Sequence, residues 1–156
     1  MHEKYMREAL KEAKKAKDKD EVPIGCVIVK DDKIIARAHN LRESKQQSIN
    51  HAEILALQKA CKKVESWRLE NCTLYVTLEP CCMCAGAILQ SRITCVVYGA
   101  DDPKGGSIKS TLQMYEQPGF NHYPNVIDGI LKEECSTILR EFFKSKRIKN
   151  RQKQIL

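Results

Sequence analysis

Two short segments, well separated in the chain, place the strongest constraint on how this sequence can fold. One is His51-Ala52-Glu53, and the other is Pro80-Cys81-Cys82-Met83-Cys84. His51, Cys81 and Cys84 supply side chains that zinc prefers, and a catalytic zinc site combines three protein ligands with one position for water. We therefore predict a fold that brings both segments to a single metal ion.

The spacing within the second segment favours Cys81 and Cys84 as the two sulfur ligands. Residues three apart lie on one face of a helical turn, whereas Cys82 points well off that face. Pro80 suits the first position of a helix because it has no N–H to satisfy there. The partly positive N–H groups of a helix start would lower the pKa of the adjacent thiols.

Glu53 is predicted to carry protons and not to bind the metal. It lies two residues from His51, within reach of a metal-bound water that it need not displace. A carboxylate at that position can take a proton from the water and pass it to a nitrogen of the substrate.

Three other interpretations of the same residues remain open. Asn50 and Glu53 have the spacing of a capping box at the start of a helix. Cys81 and Cys84 have the spacing of a redox-active pair. A fourth ligand would make the site a closed, structural zinc site.

Length and cysteine content indicate one domain in a reducing compartment. A chain of 156 residues can bury a sizeable core. Its charged start lacks the apolar stretch of a secretory signal, and no apolar run reaches the length of a membrane span. We therefore predict a cytoplasmic protein that is not in a membrane, with its eight cysteines reduced.

The net charge of +7 is concentrated at the carboxyl end of the chain. A run of basic residues without an acid is formed there by Lys144, Lys146, Arg147, Lys149, Arg151 and Lys153. Without those six, 21 of the 27 basic residues remain against 20 acids. Such a run favours a polyanionic partner, nucleic acid before membrane. We divide the chain into a zinc-binding domain, 1–147, and a basic tail, 148–156.

Hydrophobic periodicity predicts alternating helices and strands. The predicted helices are 2–17, 52–64, 80–90 and 128–147, and the predicted strands are 25–29, 34–39, 73–78 and 93–98. The first two strands should form a hairpin, and strands joined through helices should pair in parallel. The order predicts an α/β fold whose sheet is covered on both faces. Both metal-binding segments would then lie at helix N-termini that converge on one pocket.

The paired motifs His-x-Glu and Pro-Cys-x-x-Cys are the signature of the zinc nucleobase deaminases. Beyond them, the chain resembles the bacterial tRNA-specific adenosine deaminases of the cytidine deaminase-like superfamily along nearly its whole length. The stretches that carry this resemblance are Glu21-Val22-Pro23-Ile24-Gly25, Ala38-His39-Asn40, Ser66-Trp67-Arg68-Leu69, Thr73 to Cys81, Val97 to Gly106, Phe120-Asn121-His122 and Phe142-Phe143.

The resemblance implies a fold and an activity. The fold is a three-layer α/β/α sandwich with a mixed, largely parallel five-stranded sheet, assembled as a homodimer. Residues 1–147 would form the zinc-dependent deaminase domain, with one zinc ion per subunit. The expected reaction is hydrolytic deamination of adenosine to inosine, with release of ammonia, at the first (wobble) anticodon position of an arginine tRNA.

The resemblance also implies residues that line the base pocket or hold the nucleotides of the anticodon stem-loop. They are Ile24, Asn40, Ala52, Asp102, Lys104, Phe143 and Arg147. By this resemblance Asn40 contacts the flipped nucleoside, and Ile24 and Ala52 line the pocket. Aromatic and arginine side chains suit splayed single-stranded bases. Because one of two adjacent aromatics on an amphipathic helix usually packs into the core, we expect only one of Phe142 and Phe143 to contact RNA.

Several positions depart from the family pattern, and two other functions stay open. Ile49-Asn50, Lys109 and Tyr123 replace residues usual in the family, which affects the expected RNA contacts. One alternative is a deaminase of a free base, nucleoside or nucleotide, of the cytidine, guanine or deoxycytidylate type. The basic tail and the loop with Asp102 and Lys104 argue against it. The other is a zinc-stabilised RNA-binding module, which would not require Glu53.

Overall fold

The computed structural model describes residues 1–155, as one sheet with helices on both faces. The helices are α1 (His2–Asp18), α2 (Arg42–Lys45), α3 (Ala52–Val64), α4 (Cys82–Gln90) and α5 (Lys132–Ile155). The strands are β1 (Gly25–Lys30), β2 (Lys33–His39), β3 (Cys72–Leu78), β4 (Cys95–Ala100) and β5 (Asn125–Ile127).

The five strands form one mixed sheet in the order β2-β1-β3-β4-β5. Strand β1 pairs antiparallel with β2 and β3, whereas the β3–β4 and β4–β5 pairs are parallel. Four strands therefore run in one direction and β1 alone runs in the other. This confirms the mixed, largely parallel five-stranded sheet. Strands β3 and β4, joined through α4, pair in parallel as predicted. The predicted parallel pairing of β2 and β3, joined through α3, is wrong, because β1 lies between these two strands although they run in the same direction.

Strand alternation divides the core into two apolar layers, one on each face of the sheet. Cys26, Ile28 and Val76 face the layer that contains the buried residues of α3 and α4. Val27 and Tyr75 face the layer that contains residues of α1 and α5. The helices thus cover both faces, which gives the predicted three-layer arrangement.

The predicted elements are confirmed with shifts at some boundaries. Helix α3 begins and ends where it was predicted, and the hairpin turns at Asp31 and Asp32, both with positive φ as a two-residue hairpin loop requires. The short strand β5 is missing from the residue-level prediction because its residues are largely exposed and show no alternation.

Two predicted helix starts are wrong. Pro80 does not open α4, since the helix begins at Cys82 with Cys81 as its extended N-cap. Helix α5 begins at Lys132 and not at 128, because Gly129 and Leu131 have left-handed backbone conformations. At its other end α5 continues through most of the predicted tail, so residues 148–155 are helical.

The described residues have two further properties that concern their helices and their cysteines. None of their helices combines the length and apolar character needed to cross a membrane. All eight cysteines are free, and Cys26, Cys72 and Cys135 are buried as small core residues.

Helix α1 packs so closely against the start of β1 that Gly25 has no room for a side chain. A β-carbon there would overlap the backbone oxygen of Ala9 and the backbone nitrogen of Ala13. We expect Gly25→Ala to lower the free energy of unfolding by about 1–3 kcal/mol or more, since the backbone atoms of α1 cannot move aside.

The matched control is Gly86→Ala in α4, where a β-carbon meets nothing within 4 Å. It should raise stability by up to about 1 kcal/mol through helix propensity. Urea denaturation of both variants measures the difference, and equal effects would contradict the close packing.

Candidate active site

Three side chains from the two helix starts meet at one point. His51 is the N-cap of α3, and Cys81 is the N-cap of α4, with Cys84 in the first turn of that helix. The Nδ1 atom of His51 lies 3.6 Å from Sγ of Cys81 and 3.5 Å from Sγ of Cys84. All three potential ligand atoms lie within 4.8 Å of one another. The predicted convergence of both segments is therefore present in the fold.

The spacing of these atoms fits a tetrahedral zinc ion. Bonds of about 2.3 Å to sulfur and about 2.0 Å to nitrogen, at tetrahedral angles, separate sulfur from nitrogen by about 3.5 Å. The observed 3.5 and 3.6 Å agree with that separation. Cys82 is exposed. Within the described chain, no further histidine, cysteine or carboxylate joins these three residues as a fourth member of the cluster. The donor set is thus that of an open zinc site and not of a closed structural one.

The contact between the two thiols shifts their pKa values in opposite directions. A hydrogen bond from the Cys84 thiol, aided by one from His51, lowers the pKa of Cys81 to about 4 despite partial burial. The same contact, together with burial, raises the pKa of Cys84 well above its usual range. Metal binding must displace the remaining proton, because zinc binds thiolates.

Glu53 is a buried carboxylate in the first turn of α3, beside the three ligands. It is 4% exposed, and burial raises its pKa to about 7, with a further contribution from the negative charge of Cys81. A cation at the ligands would favour the ionised carboxylate and move this pKa down. The capping-box interpretation is wrong, since His51 and not Asn50 is the N-cap and no side chain caps α3.

A pocket of about 610 Å³ opens beside this cluster at the carboxyl ends of β2, β3 and β4. His51 lines its floor. Six of the seven residues predicted to bind substrate line the same pocket: Ile24, Asn40, Ala52, Asp102, Lys104 and Phe143. Arg147 lies outside it, one turn further along α5 and exposed. The structure thus brings six of these residues together, and their contacts with a substrate stay predictions.

Sequence analysis did not assign seven further residues that line the pocket, and the following four are among them. Arg42 and Glu43 belong to the short helix α2, Leu139 lies on α5, and Glu21 precedes β1. Their side chains are ordinary surface or core types, and only the fold gathers them.

Asn40 is held in one orientation by its neighbours. Its side-chain oxygen accepts the N–H of Arg42 at 3.1 Å, and its side-chain nitrogen donates to the carbonyl oxygen of Val22 at 3.3 Å. An Asn side chain has two N–H donors and two acceptor lone pairs. One donor and one lone pair of Asn40 are therefore still available to a substrate.

Glu21 fixes helix α2 at the rim of the pocket. Its fully buried carboxylate accepts the backbone N–H groups of Glu43 at 3.0 Å and Ser44 at 2.5 Å. Burial alone would raise the pKa of Glu21, but hydrogen bonds from the side chain and backbone of Ser44 and from the backbone of Glu43 hold the pKa below the usual range. A charged acceptor at a helix N-terminus also satisfies N–H groups that have no partner in the helix.

Phe142 and Phe143 point in different directions, which settles which of them is core. Phe142 is 6% exposed, whereas Phe143 is 44% exposed and lines the pocket. Packing is thus assigned to Phe142, and Phe143 stays the predicted RNA contact.

Comparison with known proteins identifies the family. A sequence model of the MafB19-like deaminases matches residues 1–147. The tRNA-specific adenosine deaminase of Bacillus subtilis is 55% identical over 149 residues, which cover 96% of this chain and 92% of that protein. The chain belongs to the tRNA-specific adenosine deaminase family.

Solved structures agree with this assignment. A tRNA:A34 deaminase studied for A-to-I editing at the wobble position superposes with a TM-score of 0.84 at 45% identity, covering 86% of this chain and 97% of that one. A guanine deaminase from Nitrosomonas europaea superposes with a TM-score of 0.72 at 24% identity, covering 90% and 83% of the two chains. The second likeness shows only that the fold is shared.

Two residues that depart from the family pattern, Tyr123 and Lys109, make local side-chain contacts in this fold. Tyr123 closes its own loop, since its hydroxyl donates to the carbonyl oxygen of Gln117 at 2.5 Å and accepts the N–H of Phe120. Lys109 pairs with Asp128 at 3.1 Å and with Asp101 at 3.6 Å. Asn50 accepts the N–H of Leu41 through its backbone carbonyl.

Glu79, between β3 and α4, organises the loop that forms one wall of the pocket. The carboxylate is 2% exposed. It accepts hydrogen bonds from the backbone N–H groups of Asp102, Ile108, Lys109 and Ser110 and from the hydroxyl of Ser110, at 2.5 to 3.2 Å. A β-carbon at Gly106 would overlap this carboxylate. Burial would raise the pKa of Glu79, but the hydrogen bonds from Ser110 and the loop amides hold it below the usual range.

We expect Glu79→Gln to lower the free energy of unfolding by about 2–3 kcal/mol, because charged acceptors contribute strongly and an amide NH₂ would face N–H donors. The matched control is Glu70→Gln, which removes an exposed charge that pairs with Arg68 on the surface. Glu70→Gln should alter the free energy of unfolding by no more than about 0.5 kcal/mol. Chemical denaturation measures both, and similar small losses would mean that Glu79 does not hold the loop.

Proposed function

We propose that this protein hydrolytically deaminates adenosine to inosine at the first (wobble) anticodon position of tRNA, releasing ammonia. The observation that carries the proposal is the convergence of the three ligands and buried Glu53 beside a pocket large enough for a nucleoside. The names of its relatives, tRNA-specific adenosine deaminase and tRNA:A34 deaminase, support the substrate.

We propose one zinc ion per subunit, held by His51, Cys81 and Cys84. When bound, zinc would supply an activated water as the nucleophile. The chain supplies the thiolates at a helix start, where backbone N–H groups favour negative charge.

Glu53 performs the proton transfers in this mechanism. It takes the proton of the attacking water and delivers it to the ring nitrogen while the oxygen adds to C6 of the adenine. It then takes the remaining proton from the added hydroxyl and gives it to the amine, so that the C6–N bond breaks, ammonia leaves and inosine remains. A cation at the three ligands would favour the ionised carboxylate that takes the first proton, whereas burial raises the pKa of Glu53 and so helps it to hold a proton until delivery.

The pocket walls hold the flipped nucleoside and its neighbours. Ile24 and Ala52 would contact the base, and Asn40 would use its remaining N–H and lone pair. Phe143 offers an exposed aromatic face for stacking of a flanking base. Asp102 accepts the N–H groups of Lys104 and Gly105, which fixes the loop beside the target nucleotide.

We further propose a cytoplasmic homodimer that acts on an arginine tRNA. An apolar groove on the outer side of α3 and α4 is the surface that we expect the partner to cover. Its lining residues are Ile54, Leu57, Gln58, Cys61, Ala87 and Ser91. Sedimentation velocity should give twice the chain mass of 17.8 kDa, and a monomer at micromolar concentration would contradict this part of the proposal.

The decisive assay compares an anticodon stem-loop of arginine tRNA with free cytidine and guanine. Purified, zinc-loaded protein should form inosine in the stem-loop and leave both small molecules unchanged. A stem-loop with guanosine at the wobble position is the matched control. Turnover of a free base or nucleoside without inosine in RNA would instead identify a small-molecule deaminase.

A further inference from the structure

The side chain of Asn40, which is predicted to contact the flipped nucleoside, is oriented by two separate segments of the chain. Its Nδ2 atom donates to the carbonyl oxygen of Val22, in the segment that precedes β1. Its Oδ1 atom accepts the N–H of Arg42, the first residue of α2. The direction in which this amide faces the pocket therefore depends on how the two segments are held relative to each other.

Glu21 joins these two segments. It precedes Val22 in the chain, and its carboxylate accepts the N–H of Glu43 on one oxygen at 3.0 Å and the N–H of Ser44 on the other at 2.5 Å. These two donors directly follow Arg42 in α2. A closed ring of peptide bonds and hydrogen bonds thus runs through Glu21, Val22, Asn40, Arg42 and Glu43.

Glu21 supports its neighbours and has no surface for a substrate. Although it lies in the wall of the pocket, it is 0% exposed. Its own N–H donates to the carbonyl oxygen of Ala16 in α1 at 2.9 Å, which fixes its main chain. Within the described chain its carboxylate forms no ion pair. The N–H groups of α2 are therefore the partners that stabilise its charge.

Helix α2 depends on this support because none of its four residues is buried. Apolar packing thus contributes little to its attachment. The far end of the same loop is closed without Glu21, since the N–H of Leu41 donates to the carbonyl oxygen of Asn50 at 3.0 Å, next to His51 in the chain. Loss of the Glu21 contacts should therefore release the first turn of α2 and Asn40 while the three grouped ligands stay in place.

We propose that Glu21 is a positioning residue for the deamination, and that it holds the amide of Asn40 in the orientation that meets the flipped nucleoside. The role requires a carboxylate, which only accepts hydrogen bonds, because the NH₂ group of a glutamine would face N–H donors. It rests on the proposed function and adds a residue that acts without touching the substrate.

The test is a double-mutant cycle between Glu21→Gln and Asn40→Ala, with single-turnover inosine formation in an anticodon stem-loop as the readout. Glu21→Gln alone should lower the rate by about 10²-fold, as expected for a displaced contact away from the reacting atoms. In the Asn40→Ala background the same change should cost no more than about threefold, because residues that act through one another are not additive. The control Glu70→Gln removes an exposed surface charge and should keep the wild-type rate.

Two further measurements separate positioning from a general loss of structure. Glu21→Asp keeps the charge but sets it back by one methylene group. It replaces Glu21→Gln in the cycle if that variant does not fold, and its loss of rate should depend on Asn40 in the same way. Zinc content should stay at the wild-type level in every folded variant. In substrate-free protein, the side-chain amide signal of Asn40 in a proton–nitrogen correlation spectrum should move in the Glu21 variants and not in Glu70→Gln.

An unchanged rate in the folded Glu21 variant would overturn the proposal, and so would an equal loss with and without Asn40. Zinc loss or an unmoved Asn40 signal would overturn it as well, because Glu21 would then act by another route. The Asn40 signal does not depend on turnover. Absence of inosine with wild type would therefore refute the proposed function, whereas the spectrum tests separately whether Glu21 orients Asn40.

Discussion

Glu53→Gln should reduce inosine formation by at least about 10³-fold, the upper range for loss of a general acid–base group. Glutamine has the same shape but cannot accept and return a proton. Fold, zinc content and RNA affinity should stay at the wild-type level, because Glu53 is not among the three grouped ligands. On one preparation, single-turnover assays measure inosine formation, metal analysis measures zinc content, and fluorescence anisotropy measures RNA affinity.

Without metal, Glu53→Gln and wild type should also differ in thermal stability, and the size of the difference should depend on pH. Burial raises the pKa of Glu53 from 4.5 to about 7 in the folded protein. The free energy of unfolding of metal-free wild type should therefore fall as the pH rises above about 4.5, because the buried carboxylate resists ionisation. Metal-free Glu53→Gln should therefore unfold at a higher temperature than metal-free wild type at pH 8. This difference should shrink as the pH falls towards 4.5. Loss of zinc from the variant, or turnover near the wild-type rate, would show that Glu53 has another role.

Replacement of either cysteine ligand should remove both zinc and activity. We expect Cys81→Ala and Cys84→Ala to fall from about one zinc per chain to a small fraction, since two ligands seldom retain a catalytic ion. Cys82→Ala is the matched control, because Cys82 is adjacent in sequence yet exposed and outside the ligand group. It should keep zinc and turnover.

The metal content of the three variants is measured after dialysis against a weak chelator, and thermal unfolding is followed with and without added zinc. Zinc should raise the melting temperature of wild type and Cys82→Ala, because a ligand that binds only the folded state stabilises it. Added zinc should have little effect on the melting temperatures of Cys81→Ala and Cys84→Ala. Equal zinc loss in all three variants would make Cys82 a ligand and would remove the open coordination position on which the proposed chemistry depends.

The sequence alone was sufficient for the features that depend on a few neighbouring residues. The spacing of Cys81 and Cys84, the position of Glu53 after His51 and the apolar period of α3 each lie within about one or two helical turns, where local geometry dictates which side chains share a face. Ligand chemistry then predicted zinc as the metal. Even at this scale, the exact helix starts near Pro80 and Gly129 were misplaced, because backbone conformation there depends on neighbouring elements.

Only the tertiary structure decided how distant residues cooperate. The five hydrogen bonds to Glu79 come from residues 23 to 31 positions away, and no local pattern distinguishes this carboxylate from an exposed one. The basic run of α5 forms one charge cluster in the sequence, whereas in the fold Lys146 pairs with Asp20, which lies 126 positions earlier in the chain. Hydrophobic period and ligand spacing are encoded locally, but burial, pairing and pocket shape depend on which elements the fold brings into contact.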